Sequence, residues 1–132
     1  MVLCQKVLLV EDDEDDKELI KLAFEEVTAE HSLHIANNGQ EALDYLMCLQ
    51  EKDLPCLIVL DLNMPILNGI QTLEALNEVQ KFQNIPKVIF TTSDSDEDKV
   101  RCLSKGASDY MVKPSNMKEI VKTVENMLSY CS

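Results

Sequence analysis

Short, strongly apolar runs alternate along the chain with longer segments in which apolar residues recur every three or four positions. A continuous apolar run predicts a strand that is buried on both faces, and the longer period predicts an amphipathic helix. Strand-like runs lie at residues 6–10, 33–36, 56–60, 88–91 and 110–112. A helix-like segment follows each run, so the pattern predicts five strands and five helices in strict alternation.

Polar residues and glycines predict where several helices begin and end. The first helix is expected over about residues 15–30. The fourth helix is predicted to place Val100 and Leu103 toward the core and to end at Gly106, a residue type common just beyond helix C-termini. Ser115 is the expected cap of the fifth helix, since serine side chains accept hydrogen bonds from the first free amides.

Strict alternation of strands and helices predicts an α/β fold, namely a doubly wound parallel sheet with right-handed crossovers and helices on both faces. The length of 132 residues fits one domain over residues 1–132, so we expect no output domain. In open sheets of this kind the functional loops follow the carboxyl ends of the strands. The chemistry of the chain is therefore expected directly after the apolar runs.

Acidic residues outnumber basic ones by 24 to 12, which gives a formal net charge of −12. This balance disfavours binding to nucleic acid and to anionic membranes, because both depend on Lys and Arg that neutralise phosphates. No apolar run approaches the roughly 20 residues that cross a bilayer, and the N-terminus lacks the pattern of a secretory signal. We therefore expect a cytoplasmic protein.

The cysteines are odd in number, widely spaced and without a C-x-x-C pair: Cys4, Cys48, Cys56, Cys102 and Cys131. This spacing predicts neither a disulfide framework nor a structural zinc site. We expect reduced thiols that act as small apolar side chains, as is usual in cytoplasmic proteins.

Charged and hydroxyl side chains follow four of the predicted strands. Six consecutive acids at 11–16 follow the first strand, and Asp61 follows the third. Thr91 ends the fourth strand, and Lys113 follows the fifth. These groups should converge, because the carboxyl ends of parallel strands lie at one edge of a sheet.

The convergence predicts a magnesium-dependent phosphoryl site. Neighbouring carboxylates repel each other unless a cation binds, and Mg²⁺ prefers oxygen ligands that a phosphate can complete. Asp61 is the expected nucleophile, since it ends the most apolar strand and aspartate can form an aspartyl phosphate. Lys113 and Thr91 would supply a compensating charge and a hydrogen-bond donor.

Five stretches together resemble the receiver domain of two-component response regulators. They are LVEDD at 9–13, VLDLNMP at 59–65, NG at 68–69, FTTS at 90–93 and GASDYMVKP at 106–114. The resemblance covers essentially the whole chain, with the motifs in the family's order and spacing. It implies the flavodoxin-like receiver fold, with strand order 2-1-3-4-5.

The resemblance assigns the metal and acceptor roles to four residues. Asp61 matches the phosphoacceptor, and Glu11 with Asp12 matches the family's acidic pair, in which Asp12 is the more direct Mg²⁺ ligand. Asn63 would offer its backbone carbonyl to the metal. Asp13 to Asp16, in contrast, are expected to be a solvated helix start.

The resemblance also assigns switch and phosphate-binding roles. Thr91 matches the hydroxyl that turns toward the phosphoryl group, and Lys113 matches the phosphate-binding lysine. The bond before Pro114 is cis in that family. Tyr110 matches the aromatic switch position, which is buried in the active state and more exposed in the inactive one.

A receiver of this kind takes its phosphoryl group from a sensor histidine kinase or a phosphotransfer protein. It is not an enzyme in the usual sense, because it catalyses only its own phosphotransfer and autodephosphorylation. The output is expected to be binding of a downstream protein, homodimerisation through the face formed by the fourth helix, fifth strand and fifth helix, or transfer of the phosphoryl group to another protein. The kinase, the stimulus and the effector stay open at this point.

Two departures from minimal receivers affect the interpretation. Thr92 stands where many receivers have a small alanine, and a β-branched side chain there is expected to narrow access to Asp61. The segments 49–55 and 80–86 are longer than in minimal receivers. Together with TTS at 91–93, they make the chain similar to stand-alone receivers that partner phytochrome-like histidine kinases.

Other interpretations are weaker. A small phosphohydrolase using an aspartyl phosphate needs a second carboxylate two residues after the nucleophile, where Asn63 stands. A nucleotide- or flavin-binding domain needs a first loop that cradles phosphate, which six carboxylates would repel. The acids at 94–98 lack the later ligands of a calcium loop. His31 and His34 are expected to be exposed loop residues.

Overall fold

Five parallel strands form one sheet in the computed structural model, which describes residues 6–28 and 31–131. The spatial order is β2-β1-β3-β4-β5. The strands are β1 Lys6–Val10, β2 Ser32–Ala36, β3 Leu57–Leu60, β4 Lys87–Thr91 and β5 Asp109–Val112. The α-helices are α1 Glu14–Val27, α2 Gly39–Met47, α3 Gly69–Asn77, α4 Asp96–Ser104 and α5 Met117–Leu128. The predicted fold and strand order are confirmed.

Alternate residues of the strands enter two separate cores, one on each face of the sheet. On one face α1 and α5 pack over Val7, Leu9 and Val59, and on the other α2, α3 and α4 pack over Leu8 and Ile58. Every residue of β3 and β4 is buried. Burial on both faces explains why β3 is a continuous apolar run and why β4 is apolar at its three central positions, because neither strand has a side that faces water.

The helices begin with side chains that bond their first free amides. The capping residues are Asp13, Asn38, Asn68, Ser95 and Asn116. The prediction for Ser115 is wrong by one residue, because Asn116 Oδ1 accepts from the Glu119 amide at 2.9 Å. Gly106 ends α4 as predicted, with a φ of 102° that favours glycine. Helix α1 ends at Val27, and residues 29–30 of its predicted span lie outside the described residues.

Helix α4 is rotated relative to the prediction. Val100 is 65% exposed and Leu103 is 41% exposed, whereas Cys102 is fully buried. Because successive helical residues are about 100° apart, a helix with Cys102 on the sheet directs Val100 toward solvent. The expectation that both residues face the core is therefore wrong.

Cys56 and Cys131 form a disulfide, so the expectation of reduced thiols is wrong for this pair. The two residues are 75 positions apart in sequence, yet their Cα atoms lie 5.0 Å apart. Cys56 immediately precedes β3, and Cys131 lies in a short 3-10 turn after α5. Cys48 and Cys102 are free thiols, and Cys4 lies outside the described residues. None of the described helices is long and apolar enough to span a membrane.

Candidate functional site

The carboxyl edge of the sheet brings the predicted site residues together. The parallel ladder continues one residue beyond the strands: the Glu11 amide donates to the Ala36 carbonyl at 3.0 Å, and the Asp61 amide donates to the Val10 carbonyl at 3.0 Å. The Lys113 amide likewise donates to the Thr91 carbonyl. These backbone bonds place each side chain at a defined position next to its neighbours, so the site is built by the rigid part of the fold.

Three carboxylates form an acidic cluster. One oxygen each from Glu11, Asp12 and Asp61 lies within 4.8 Å of the others. Glu11 is buried and Asp12 is exposed, so the cluster opens to solvent on the Asp12 side. An all-oxygen donor set with this charge fits a hard divalent cation such as Mg²⁺. Asn63 is exposed in the turn after β3.

Lys113 is held by three carboxylates at once. Its Nζ lies 2.5 Å from Glu11 Oε1, 2.7 Å from Asp16 Oδ2 and 3.6 Å from Asp61 Oδ2. Only the first two are hydrogen-bond distances. The contact with Asp16 contradicts the expectation that this acid belongs to a solvated helix start. Sequence reasoning missed it because 97 positions separate the two residues.

Burial and the lysine shift the ionisation of the cluster in opposite directions. Burial raises the pKa of Glu11 to about 7, although the hydrogen bond from Lys113 opposes this change. Burial disfavours the charged form of Lys113, but hydrogen bonds to Asp16 and Glu11 outweigh it and raise the pKa of the ammonium. Lys113 is therefore a fixed positive charge beside Asp61 at neutral pH.

The two oxygens of Asp61 have different surroundings. Oδ1 accepts a hydrogen bond from the Leu62 amide at 2.7 Å. Oδ2 makes no hydrogen bond within the described residues, and the ammonium of Lys113 lies 3.6 Å from it. Asp61 is 9% exposed. Gly69 permits the start of α3 to lie against this strand end, since a Cβ there would be 2.6 Å from the Asp61 carbonyl oxygen.

The turn after β4 connects Thr91 to Tyr110. Thr91 is fully buried, and its Oγ1 accepts from the Ser93 amide at 3.3 Å. The Tyr110 hydroxyl donates to the Ser93 carbonyl at 2.8 Å, so the ring lies inward, and burial raises the pKa of the phenol. Ser93 also donates through Oγ to Asp98 at 2.7 Å. The same turn is thus tied to the threonine, to the tyrosine and to α4, while Thr92 is exposed.

Two smaller expectations are wrong. No peptide bond is cis within the described residues, so the bond before Pro114 is trans. The two isomers of such a bond differ by only about 0.5–1 kcal/mol, so the local surroundings decide between them. His34 lies in β2 rather than in a loop, and its ring stacks on Tyr45 with centroids 3.7 Å apart.

Comparison with known proteins agrees with this geometry. The family model of the response regulator receiver domain matches residues 7–125. The probable methanogenesis regulatory protein FilR2 of Methanothrix harundinacea is 33% identical over 126 residues, which cover 94% of this chain and 81% of FilR2. The response regulator Rcp1 of Synechocystis is 31% identical over 127 residues, which cover 94% of this chain and 86% of Rcp1.

Solved structures show the same similarity. The Mn²⁺-bound form of Rcp1 superimposes with a TM-score of 0.81 at 30% identity, covering 95% of this chain and 92% of that one. The phosphorylated cyanobacterial phytochrome response regulator RcpA superimposes with a TM-score of 0.85 at 28% identity, covering 97% and 94%. The family match, the sheet order and the acidic edge of the sheet agree, and the chain belongs to the response regulator receiver domain family of two-component signalling.

Proposed function

We propose that this chain is a response regulator of the stand-alone type, with its receiver domain over residues 1–132, that accepts a phosphoryl group on Asp61 with Mg²⁺. One observation carries the assignment of the acceptor. Asp61 Oδ2 makes no hydrogen bond within the described residues, while a lysine and two further carboxylates surround it. The Mn²⁺-bound Rcp1 and the phosphorylated RcpA are similar to this chain and support the proposal.

The donor in this scheme is a phosphohistidine of a sensor kinase or a phosphotransfer protein. Asp61 Oδ2 forms the new P–O bond while the P–N bond breaks, and the imidazole leaves with that electron pair and takes up a proton. Lys113 stays protonated and places positive charge beside the incoming phosphoryl oxygens. Mg²⁺, held by Glu11, Asp12, Asp61 and the Asn63 carbonyl, would screen the repulsion between the two anions that meet.

The switch follows from what surrounds the turn after β4. A phosphoryl group on Asp61 offers new acceptor oxygens to the Thr91 hydroxyl, which now accepts from the Ser93 amide. Movement of Thr91 shifts the turn that carries Ser93, and the Ser93 carbonyl accepts from the Tyr110 hydroxyl when this ring lies inward, the position expected of the active state. The phosphorylated state thereby shifts the population of arrangements available to α4 and β5.

The surface that would report this shift is the α4–β5 face, defined here by Val100, Leu103 and Val112. These side chains are 65%, 41% and 42% exposed. We propose that this face, continued by α5, binds a downstream protein or a second copy of the chain. The chain would act in the cytoplasm and catalyse only its own phosphotransfer and autodephosphorylation.

The central experiment is incubation with acetyl phosphate and Mg²⁺, followed by intact mass measurement. The expected result is a single phosphoryl adduct that is stable in acid, labile to base and hydroxylamine, and absent from Asp61→Asn. Absence of an adduct with any phosphodonor, or an adduct that persists in Asp61→Asn, would sink the proposal. Rapid turnover of generic phosphate esters would instead favour a phosphohydrolase.

Metal binding has its own test. Mg²⁺ should raise the thermal midpoint of the wild type, because a ligand bound only by the native state stabilises it. Asp12→Ala should lose most of this response, whereas Asp15→Ala should keep it. Asp15 is a matched control, because it is exposed and adds no oxygen to the acidic cluster. An Asp12→Ala protein that responds like the wild type would remove Asp12 from the metal site.

A further inference from the structure

Asp16 occupies a place in the site that its position in the chain does not suggest. It lies in the first turn of α1, where acids usually serve only to complement the helix dipole. The Asp13 side chain already caps this helix by accepting from the Asp16 amide at 2.8 Å. The Asp16 carboxylate is directed elsewhere, and its Oδ2 accepts from Lys113 Nζ at 2.7 Å.

The bond to Asp16 decides where the ammonium of Lys113 sits. Lys113 has three N–H donors, and Glu11 and Asp16 accept from it at 2.5 and 2.7 Å. Asp61 Oδ2 is left at 3.6 Å, beyond a hydrogen bond but within a strong ionic interaction. The side chain of Lys113 is 8% exposed and that of Asp16 is 31% exposed, so the bond is largely sheltered from water at its lysine end.

The consequence for Asp61 follows from simple competition. A carboxylate oxygen that accepts a short bond from an ammonium has its lone pairs engaged and is a poorer nucleophile. With Asp16 in place, the ammonium stays close enough to neutralise charge and too far away to occupy Oδ2. Without Asp16, Glu11 and Asp61 are the carboxylates of the described residues that remain beside Lys113, and the ammonium would move onto Asp61 Oδ2.

We infer that Asp16 is a positioning residue for phosphoryl transfer, holding Lys113 away from the nucleophilic oxygen of Asp61 through the 2.7 Å bond to its Nζ. This inference rests on the proposed phosphorylation of Asp61. It is distinct from a role in attracting the metal, because Asp16 is not a member of the acidic cluster of Glu11, Asp12 and Asp61.

The test compares rates of adduct formation from acetyl phosphate at saturating Mg²⁺ in Asp16→Ala, Asp15→Ala and the wild type. Asp15 is a close control, since it lies in the same helical turn, carries the same charge, and has a side chain that makes no hydrogen bond or ion pair within the described part of the chain. Asp16→Ala should form the adduct about tenfold more slowly, the size expected when a bond to a charged group is lost. Asp15→Ala should match the wild type.

Further variants separate positioning from other roles. Asp16→Glu, which restores a carboxylate, should recover most of the rate, and Asp16→Asn, which keeps an acceptor but no charge, should fall in between. A Mg²⁺ titration of each variant shows whether the rate defect persists at saturation, and circular dichroism confirms that the variants are folded.

Three results would overturn the inference. These are an Asp16→Ala rate equal to that of Asp15→Ala, a defect that vanishes at saturating Mg²⁺, and an Asp16→Glu protein as slow as Asp16→Ala. A wild type that forms no adduct is a different result, because it would overturn the proposed function itself.

Discussion

Lys87 is a buried lysine at the amino end of β4, far along the strand from the acidic cluster. It is 1% exposed, and its Nζ donates to the carbonyls of Phe82 and Ile85 at 2.8 and 2.9 Å. These carbonyls lie in the connection between α3 and β4, one of the segments that the sequence marks as long. Burial lowers the pKa of Lys87 to about 8. One buried side chain thus donates hydrogen bonds to two backbone carbonyls of this connection.

The lowered pKa predicts a rise in stability with pH. Between pH 8 and 10.5 the unfolded chain holds the Lys87 proton and the folded chain does not, so the free energy of unfolding increases across this window. The contribution of Lys87 is at most about 3 kcal/mol. Other groups titrate there too, so the measurement is the difference in urea stability between wild type and Lys87→Met at pH 7.5 and pH 10.

Lys87→Met should also be less stable than the wild type at pH 7.5, by about 2 kcal/mol, because buried carbonyls lose their donor. Lys122→Met is the control, since Lys122 is an exposed lysine on α5 and its loss should have little effect. The free energies of unfolding of the wild type and Lys87→Met should differ more at pH 10 than at pH 7.5. An equal difference at the two pH values would contradict the pKa assignment.

Ile66 has a backbone conformation that its side chain does not favour. It lies in the loop between β3 and α3, with a φ of 70°, and it is 72% exposed. A left-handed conformation costs a β-branched residue about 1–2 kcal/mol, and asparagine tolerates it better. Ile66→Asn should therefore raise the free energy of unfolding by about 1 kcal/mol, measured by urea denaturation.

The comparison for Ile66 is Ile66→Val, which stays β-branched and should show no gain. Because the isoleucine is so exposed, little burial is lost in either variant. An Ile66→Asn protein no more stable than Ile66→Val would mean that the turn is not strained at this residue.

At the level of elements, α4 is the helix whose orientation matters most for output. It contacts α3 and β5, and its first turn is tied to the β4 turn by the bond from Ser93 to Asp98. Its apolar residues Val100 and Leu103 are exposed instead of completing the core. Helix α4 is linked to the turn after β4, which contacts both Thr91 and Tyr110, and its apolar residues face solvent. It is therefore suited to transmit to a partner a conformational change that begins at the site.

The α4–β5 face predicts a clear behaviour in solution. If the face binds a second copy, phosphorylation should raise the apparent mass in size-exclusion chromatography with light scattering, and Val100→Asp should prevent this because it buries an unpaired charge. Met47→Asp on α2 is the control, since Met47 is a comparably exposed apolar residue outside the face.

The Val100→Asp protein should still be phosphorylated on Asp61 as the wild type is. This result would show that the substitution impairs association and not phosphorylation. Persistent dimers in Val100→Asp would place the contact elsewhere. If the wild type stays monomeric after phosphorylation, the face does not bind a second copy, and its partner is a different protein.

At the level of the whole molecule, the Cys56–Cys131 disulfide joins the end of the chain to the start of the central strand. It closes a loop of 75 residues that contains β3, β4, β5 and three α-helices. The neighbouring Tyr130 hydroxyl donates to Asp109 at 2.8 Å, which gives the same terminus a second attachment. The disulfide thus constrains the half of the chain that carries the α4–β5 face.

Reduction should lower the stability of the protein. A cross-link over a loop of this length restricts the unfolded chain, so reduction should decrease the free energy of unfolding by about 2–4 kcal/mol. Thiol alkylation under denaturing conditions should label two fewer cysteines in the oxidised protein than in the reduced one. Cys131→Ser is the control, and its stability should not respond to the reductant. An oxidised wild type with the same stability as the reduced one would contradict this account.

The sequence by itself determined the element order and the edge of the sheet that carries the chemistry. Burial on both faces requires apolar residues throughout β3 and at the centre of β4, and the amphipathic period of the helices is equally local. Both patterns can therefore be recognised in the sequence. The rule that loops at the carboxyl ends of parallel strands meet then brings Glu11, Asp61 and Lys113 together from the sequence alone.

Only the tertiary structure decided which distant residues touch and which way a helix faces. Asp16 contacts Lys113 across 97 positions, and Cys56 bonds to Cys131 across 75. Such pairs have no local signal, because the contact depends on how the intervening elements return to the sheet. The orientation of Val100 was equally hidden, because in a short helix with few apolar residues several rotations bury a similar amount of surface. Which rotation occurs is settled by the packing of its neighbours on the sheet.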